Sequence, residues 1–376
     1  PGPYDPGDGT QYLHAELAQK SNRPLFERLG IEEISPQIEL SGHVQAGLSD
    51  ATQWPMLWRL VRNSDETEAF RILQETSDSP EPVRVKVKSG RWVRIFDALR
   101  EGDIVTADGD PQTTLDEESH EQDLALLERL GLRDKPHPGG GSRSEGWFDD
   151  YRRDALNEWR QEVRARDGGN PQEHSVQFEE QVEFGPLAPL VHLSDEARVR
   201  FTRHVLPFEE VLTRKWTLRH SLPRYPIHYH ESPTLWMLKR EGRIETRLGI
   251  RAPKDCVGPY VDRLADAFPV GDISNDQVAL LGLPNDPDDF GEQIWTEAIS
   301  RADQVADELL GALYGLAASH GRTPPENIHC LVAAGQRDYV PPEDVVVVTD
   351  QSELEAMFSE GRPCLLSDTE DAEVLV

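Results

Sequence analysis

Cysteine is scarce in this chain of 376 residues, and the three present, Cys256, Cys330 and Cys364, stand far apart. With no C-x-x-C pair there is no zinc knuckle, dithiol redox motif or disulfide framework, and a reducing cytoplasm is the expected compartment. Lysine is scarce too: seven of the 39 basic residues are Lys and 32 are Arg, scattered over the whole chain. No apolar run approaches the length of a membrane span, and the first residues carry no basic-then-apolar signal pattern. The start, Pro1-Gly2-Pro3-Tyr4-Asp5-Pro6, reads as a linker, so a piece of a longer protein is expected. Also missing are G-x-x-x-x-G-K-[ST], a strand-borne G-x-G-x-x-G and G-x-S-x-G, which removes local support for P-loop, Rossmann and α/β-hydrolase chemistry.

Acid is abundant. Sixty-nine Asp and Glu give a formal net charge of -30, a field that opposes nucleic acid and anionic membranes as partners. The mean hydropathy is -0.59, yet 37% of residues are hydrophobic, with eight Trp, eight Tyr and eleven Phe, enough to build cores. The length exceeds what one core usually supports, so two or three packed units are expected.

Residues 136–146, where Lys135-Pro136-His137-Pro138 runs into Gly139-Gly140-Gly141-Ser142, read as a linker hostile to helix and strand. It separates an N-terminal helical unit, 1–135, carrying a hairpin at 83–106, from a mainly helical unit, 147–250. A third unit, 251–376, is expected around a long helix at 290–319 and a second hairpin module. Residues 166–175, carrying Asp167-Gly168-Gly169-Asn170-Pro171, read as an exposed loop within the second unit. Directly after the linker, Trp147, Tyr151, Ala155, Trp159 and Val163 recur every four residues and predict an amphipathic helix, with Arg152, Arg153, Arg160 and Arg164 on its polar side. Further helices are expected over 52–62, 66–74, 195–212, 234–241 and 352–359. Strands are expected over 83–88, 92–96, 103–106, 178–184, 328–333, 345–349 and 363–366. The fold class is α+β, with helix in the majority and small antiparallel hairpin sheets packed against helices.

Two devices recur. Leu-Gly followed by an apolar residue appears at Leu29-Gly30-Ile31, Leu130-Gly131-Leu132, Leu248-Gly249-Ile250 and Leu281-Gly282-Leu283, the pattern of a glycine helix stop. A strand, glycine turn, strand, short step, return strand and helix also run from Val83 and again from Ile328, suggesting one module used twice. In the first copy a loop over 88–92 would pair Val87 with Val93 and Val85 with Ile95. That register collects the valines on one face and Arg84, Lys86 and Arg94 on the other, the most concentrated basic surface of an acidic chain. These three are the candidate partner-binding residues, and nucleic-acid handling or a defence-related role through them is one alternative function.

His228-Tyr229-His230-Glu231, with His220 upstream, is the most metal-like cluster. On a strand His228 and His230 share a face, as ligands require, while Glu231 points away. No third ligand stands at a useful local spacing, and a metal-dependent hydrolase using these two histidines is the other alternative. Asp5-Pro6-Gly7-Asp8-Gly9 matches the D-x-G-x-G of Bergerat-type ATPases but lacks the preceding helix, and reads as linker. Asp286-Pro287-Asp288-Asp289 reads as a loop and helix N-cap, lacking the Gly and terminal Glu of an EF-hand. No catalytic residue and no cofactor is expected.

Residues 83–105, 115–136 (with Asp-Leu-Ala-Leu-Leu-Glu-Arg-Leu-Gly-Leu), Glu231-Ser232-Pro233-Thr234-Leu235-Trp236-Met237-Leu238 and 347–366 together resemble the region downstream of the ATP-binding domain in large bacterial sacsin-like proteins. The resemblance implies a chaperone-like protein in which an ATPase precedes long scaffold regions. This chain would then be non-catalytic scaffold, its partners being a protein or other domains of the same polypeptide. None of the family's nucleotide-binding residues has a matching position here.

Overall fold

The structure, a computed structural model, describes residues 25, 28, 29, 35–45, 53–77, 83–139, 146–167, 176–179, 184–220, 225, 227–322, 326–333 and 335–367. The Asp5 to Gly9 match, Gly30-Ile31 of the first glycine stop, Gly140 to Ser142 of the linker, Gly168 to Pro171 and Ala334 lie outside them. The chain divides into two compact units, Pro1–Thr234 and Leu235–Val376. The fold is α+β, with small sheets of two to four strands among a majority of helix.

The first unit opens with α1 (Pro36–Gln45), α2 (Trp54–Asn63) and α3 (Glu66–Ser77). In α2 the apolar positions Trp54, Leu57, Trp58 and Val61 are all buried, with Pro55 in its first turn. They share a core with Ile72 and Leu73 of α3, with Val83, Val85 and Val87, and with Leu126, Leu127 and Leu132. The hairpin is β1 (Arg84–Lys86) with β2 (Trp92–Arg94), and its register pairs Val85 with Val93 and Lys86 with Trp92. This corrects the expected register by two residues. Gly90, at φ +84°, closes a three-residue loop, its N–H donating to the Val87 carbonyl at 2.8 Å while the Val87 N–H donates to Arg91 at 2.9 Å. A two-residue slip preserves the faces, so the valines still point into the core and Arg84, Lys86 and Arg94 still share the other side.

No return strand forms at 103–106. Instead Leu99 bridges Thr114 and Val87 bridges Leu115, and the chain reaches α4 (Leu124–Arg129) through turns. The α4 stop is as expected: Gly131 has φ +110°, and the Leu132 N–H returns to the Leu127 carbonyl at 3.0 Å.

The supposed linker contains a short strand, β3 (His137–Pro138). Past α5 (Trp147–Asp167) and β4 (Val176–Glu179), it pairs antiparallel with β5 (Phe184–Gly185). The expected 195–212 helix is two, α6 (Asp195–Val205) and α7 (Glu209–Leu212). Other ties cross the same divide. Asp110 Oδ1 accepts from the Ser194 N–H at 2.7 Å, Arg200 donates to the Ile104 carbonyl at 3.0 Å, and the His204 ring lies 3.0 Å from the Pro136 carbonyl. These ties explain why the first 135 residues and the segment after 147 fall in one compact unit. A three-stranded sheet completes it, β4 and β7 (His228–His230) flanking the central β6 (Trp216–His220), all antiparallel. The division between units falls within α8 (Pro233–Glu241).

In the second unit Thr246 to Ile250 is a hairpin turn rather than a helix stop. Gly249, φ +96°, links β8 (Ile244–Thr246) to β9 (Gly249–Arg251), because Thr246 Oγ1 donates to the Gly249 carbonyl and accepts from the Leu248 N–H. The Asp272 N–H donates to the Glu245 carbonyl, tying this hairpin to the segment that enters the next helix. That helix, α9 (Asn275–Leu281), has a Ser274–Gln277 capping box and ends at Gly282, φ +70°. Asp286 caps a short 3-10 turn, its carboxylate accepting from the Asp288 N–H.

The expected 290–319 helix is broken into α10 (Glu292–Ser300), two 3-10 turns and α11 (Leu310–Ser319). The break is held from outside. Past β10 (Ile328–Ala333), Arg337 on β11 (Gln336–Val340) donates to the carbonyls of Ala302, Asp303 and Val305 at 3.3, 3.0 and 2.6 Å, and pairs with Asp307 at 2.7 Å. Carbonyls released by the interrupted helix thus find a guanidinium. The sheet runs β11-β10-β13-β12, with β12 (Val346–Val348) parallel to β13 (Cys364–Leu366), and α12 (Gln351–Ser359) connects them. The two hairpin modules share strand, glycine turn, strand and 3-10 step, at Ile95–Asp97 and Pro342–Asp344, and diverge beyond it.

Candidate functional site

Helix α5 forms as its stripe predicts: Trp147, Tyr151, Ala155, Trp159 and Val163 are all buried. Ala155, Leu156, Trp159 and Val163 pack with Val176 of β4 and Leu218 of β6, which seats the helix on the three-stranded sheet. Arg152, Arg153 and Arg164 stay exposed, and Arg153 pairs with Asp150 one turn away.

On β7 the period-two rule places His228 and His230 on one face, opposite Leu218 and Trp216 of β6, and leaves Tyr229 outward at 60% exposure. The sequence offered no third ligand nearby. The fold supplies two carboxylates from α5, one turn apart beside the buried stripe. Glu158 Oε2 lies 2.9 Å from His230 Nδ1 and 3.6 Å from His228 Nε2, and Glu162 Oε2 lies 2.8 Å from His228 Nδ1. Ligand atoms of Glu158, His228 and His230 all lie within 4.8 Å of one another. His230 is 3% exposed, against the Tyr151 ring, and Nε2 of both histidines is buried with no hydrogen-bond partner among the described residues. The signal that could have found Glu158 and Glu162 is their i, i+4 spacing on the flank of a strongly periodic helix. His220 has a different place, stacked on Trp159 at 5.7 Å and edge-on to Tyr225 at 4.5 Å.

The basic hairpin face is drawn into the unit. Lys86 Nζ lies 3.0 Å from Asp116 Oδ2 and donates to Ser119 Oγ at 3.0 Å. Burial works to raise the Asp116 carboxyl, but hydrogen bonds from Ser119 and Lys86 outweigh it and hold it below its ordinary value. Arg84 and Arg94 stand opposite each other, half-buried, in the field of Asp97, a carboxyl that burial pushes up and that both arginines oppose.

Against this face sits a pair that sequence reading overlooked, His120 and Asp123, 1% and 2% exposed. His120 Nδ1 is 3.2 Å from Asp123 Oδ2, and Asp123 also accepts from Arg62 Nε and Nη2 at 3.1 and 2.6 Å. An Asp–His pair of this kind orients a general base in many enzymes. Here His120 Nε2 accepts the Lys86 backbone N–H at 3.0 Å, and the ring lies edge-on to Trp58 and Trp92 at 5.1 and 5.9 Å. The nitrogen a base would use is spent on a strand. Accepting at Nε2 places the ring proton on Nδ1, where it donates to Asp123.

The cysteines are equally committed to the interior. All three are free and buried, and burial pushes the Cys256 and Cys330 thiols up to about 12 and about 11. Among the described residues no helix is long and apolar enough to cross a membrane. Compared with protein-family models, with curated proteins and with solved structures, the chain matches none.

Proposed function

We propose that this chain is a non-catalytic scaffold or interaction region of a sacsin-like, chaperone-like multidomain ATPase. It acts in the cytoplasm, on a protein partner or on other domains of the same polypeptide. The observation that carries this reading is the run Arg62, Asp123, His120, Lys86, in which a catalytic-looking pair joins a helix, a turn and a strand instead of facing a substrate. The inward pairing of Lys86 and the raised, buried thiols agree with it, since groups available for chemistry or anion binding are used to hold the fold. Three separate free cysteines fit a reducing compartment.

A second reading, a metal-dependent hydrolase, is favoured by one observation, the approach of Glu158 to His228 and His230. The two part on turnover. Zinc-loaded protein is incubated with ATP, a phosphomonoester, a carboxylic ester and a peptide substrate. The scaffold reading expects no hydrolysis above buffer. Hydrolysis that disappears in Glu158→Gln overturns it in favour of the second reading.

A further inference from the structure

We infer that Glu158, His228 and His230 form a binding site for one borderline divalent cation of the zinc class, with Glu162 as the outer carboxylate that orients His228. The inference goes beyond the scaffold reading and stands whether or not that reading holds, because it concerns binding and not turnover.

Three features carry it. First, the donor atoms are already gathered. Ligands at about 2.0–2.2 Å from a zinc ion stand roughly 3.0–3.5 Å apart, and Glu158 Oε2 lies 2.9 and 3.6 Å from nitrogens of the two rings. Second, the site has unspent capacity: among the described residues Nε2 of His228 is buried and unpartnered, with the Glu158 carboxylate at 3.6 Å. A buried imidazole nitrogen without a partner is costly, and a cation taking its lone pair removes the cost. Third, the support shell is present. With Nε2 of His228 turned to the ion, its Nδ1–H donates to Glu162 Oε2 at 2.8 Å, the carboxylate–histidine–metal relay that fixes tautomer and ring orientation.

The donor set selects the ion. Two imidazoles and a carboxylate suit zinc and its first-row neighbours, whereas calcium and magnesium take oxygen donors. Glu158 is 57% exposed, so solvent can complete the coordination. An ion held here joins α5 to β7, the edge strand of its sheet, at a point where 66 and 72 residues separate the partners in sequence. It would therefore act as a clamp on the fold of the first unit.

The test uses the whole chain, stripped with chelator and titrated with zinc chloride by calorimetry and with cobalt chloride by visible absorbance. The expected result is one equivalent bound, with a dissociation constant on the order of 1 µM or below, cobalt absorbance of a nitrogen–oxygen site, and a melting temperature raised by zinc. Glu158→Gln changes a side chain that is 57% exposed, and should lower affinity by about 100-fold and abolish the zinc-dependent rise in melting temperature. Glu162→Gln should cost about 10-fold to 100-fold. Absence of binding, or binding equally tight in Glu158→Gln and in the His228→Gln/His230→Gln double variant, overturns the inference.

Discussion

Asp123→Ala is the perturbation that bears hardest on the buried histidine tie. The carboxylate is 2% exposed and collects hydrogen bonds from Arg62 Nε and Nη2 and from His120 Nδ1. Removing it leaves the His120 N–H buried without an acceptor and strands one side of a charge pair. Loss of a buried partner costs about 3–5 kcal/mol when the remaining charge stays dry. Arg62 is 37% exposed and can turn partly to water, so about 2–4 kcal/mol is expected. Asp123→Asn keeps one acceptor and the shape, and should cost roughly half as much. The pH dependence carries a sign. Burial works to raise the Asp123 carboxyl, but the hydrogen bonds from His120 and Arg62 and the charge of Arg62 prevail and hold it below its ordinary value. Its stabilisation is therefore complete above the unfolded value of about 3.9 and is lost as pH falls through the lower folded value. The gap between wild type and Asp123→Ala should be full at pH 7 and close below about pH 4. Urea unfolding followed by tryptophan fluorescence reads it, because Trp58 and Trp92 border the ring. A pH 7 difference under about 0.5 kcal/mol, the range of an ordinary surface change, would mean that the Asp123 carboxylate does not hold Arg62 and His120 in place.

Three further outcomes are expected. Arg337→Ala should destabilise the second unit by about 2–4 kcal/mol, and Arg337→Lys by nearly as much, because a single ammonium cannot reach three carbonyls and Asp307; equal melting of all three proteins would contradict this. Gly311→Ala would put a methyl group on the Leu366 carbonyl and 2.5 Å from Ser367 Cβ, so α11 must move off β13 at a cost of about 1–3 kcal/mol, measured by thermal unfolding; unchanged stability would mean the helix and strand are not so close. The thiols of native protein should be silent to a disulfide reagent at pH 8 and all three should react in denaturant, and a fast native reaction would contradict the burial of Cys256, Cys330 and Cys364.

Local patterns were legible in the sequence, and long-range partners were not. The four-residue recurrence from Trp147 to Val163 gave α5, and alternation gave the faces of the first hairpin even where its register slipped, since a slip of two leaves every side chain on its own side. The same alternation put His228 and His230 together. The carboxylates that complete that site come from a helix 66 and 72 residues away, and no local period encodes such a meeting. The broken helix at 301–309 has a similar cause. Its apolar positions continue across the gap, and the break is stabilised by Arg337 from a strand later in the chain. No local pattern marks His120 and Asp123, because the groups that bury them, Trp58, Trp92 and the Lys86 N–H, all precede them by more than 25 residues.

Among the described residues, the buried pair that most resembles catalytic machinery, His120 with Asp123, is a structural tie. Nitrogen-15 spectra of the histidine rings at neutral pH test it directly. The expected result for His120 is a single tautomer with the proton on Nδ1, a ring nitrogen Nε2 coupled across its hydrogen bond to the Lys86 amide, and both signals lost together in Asp123→Ala. A His120 ring protonated at Nε2, or one whose nitrogens exchange freely with solvent, would contradict it.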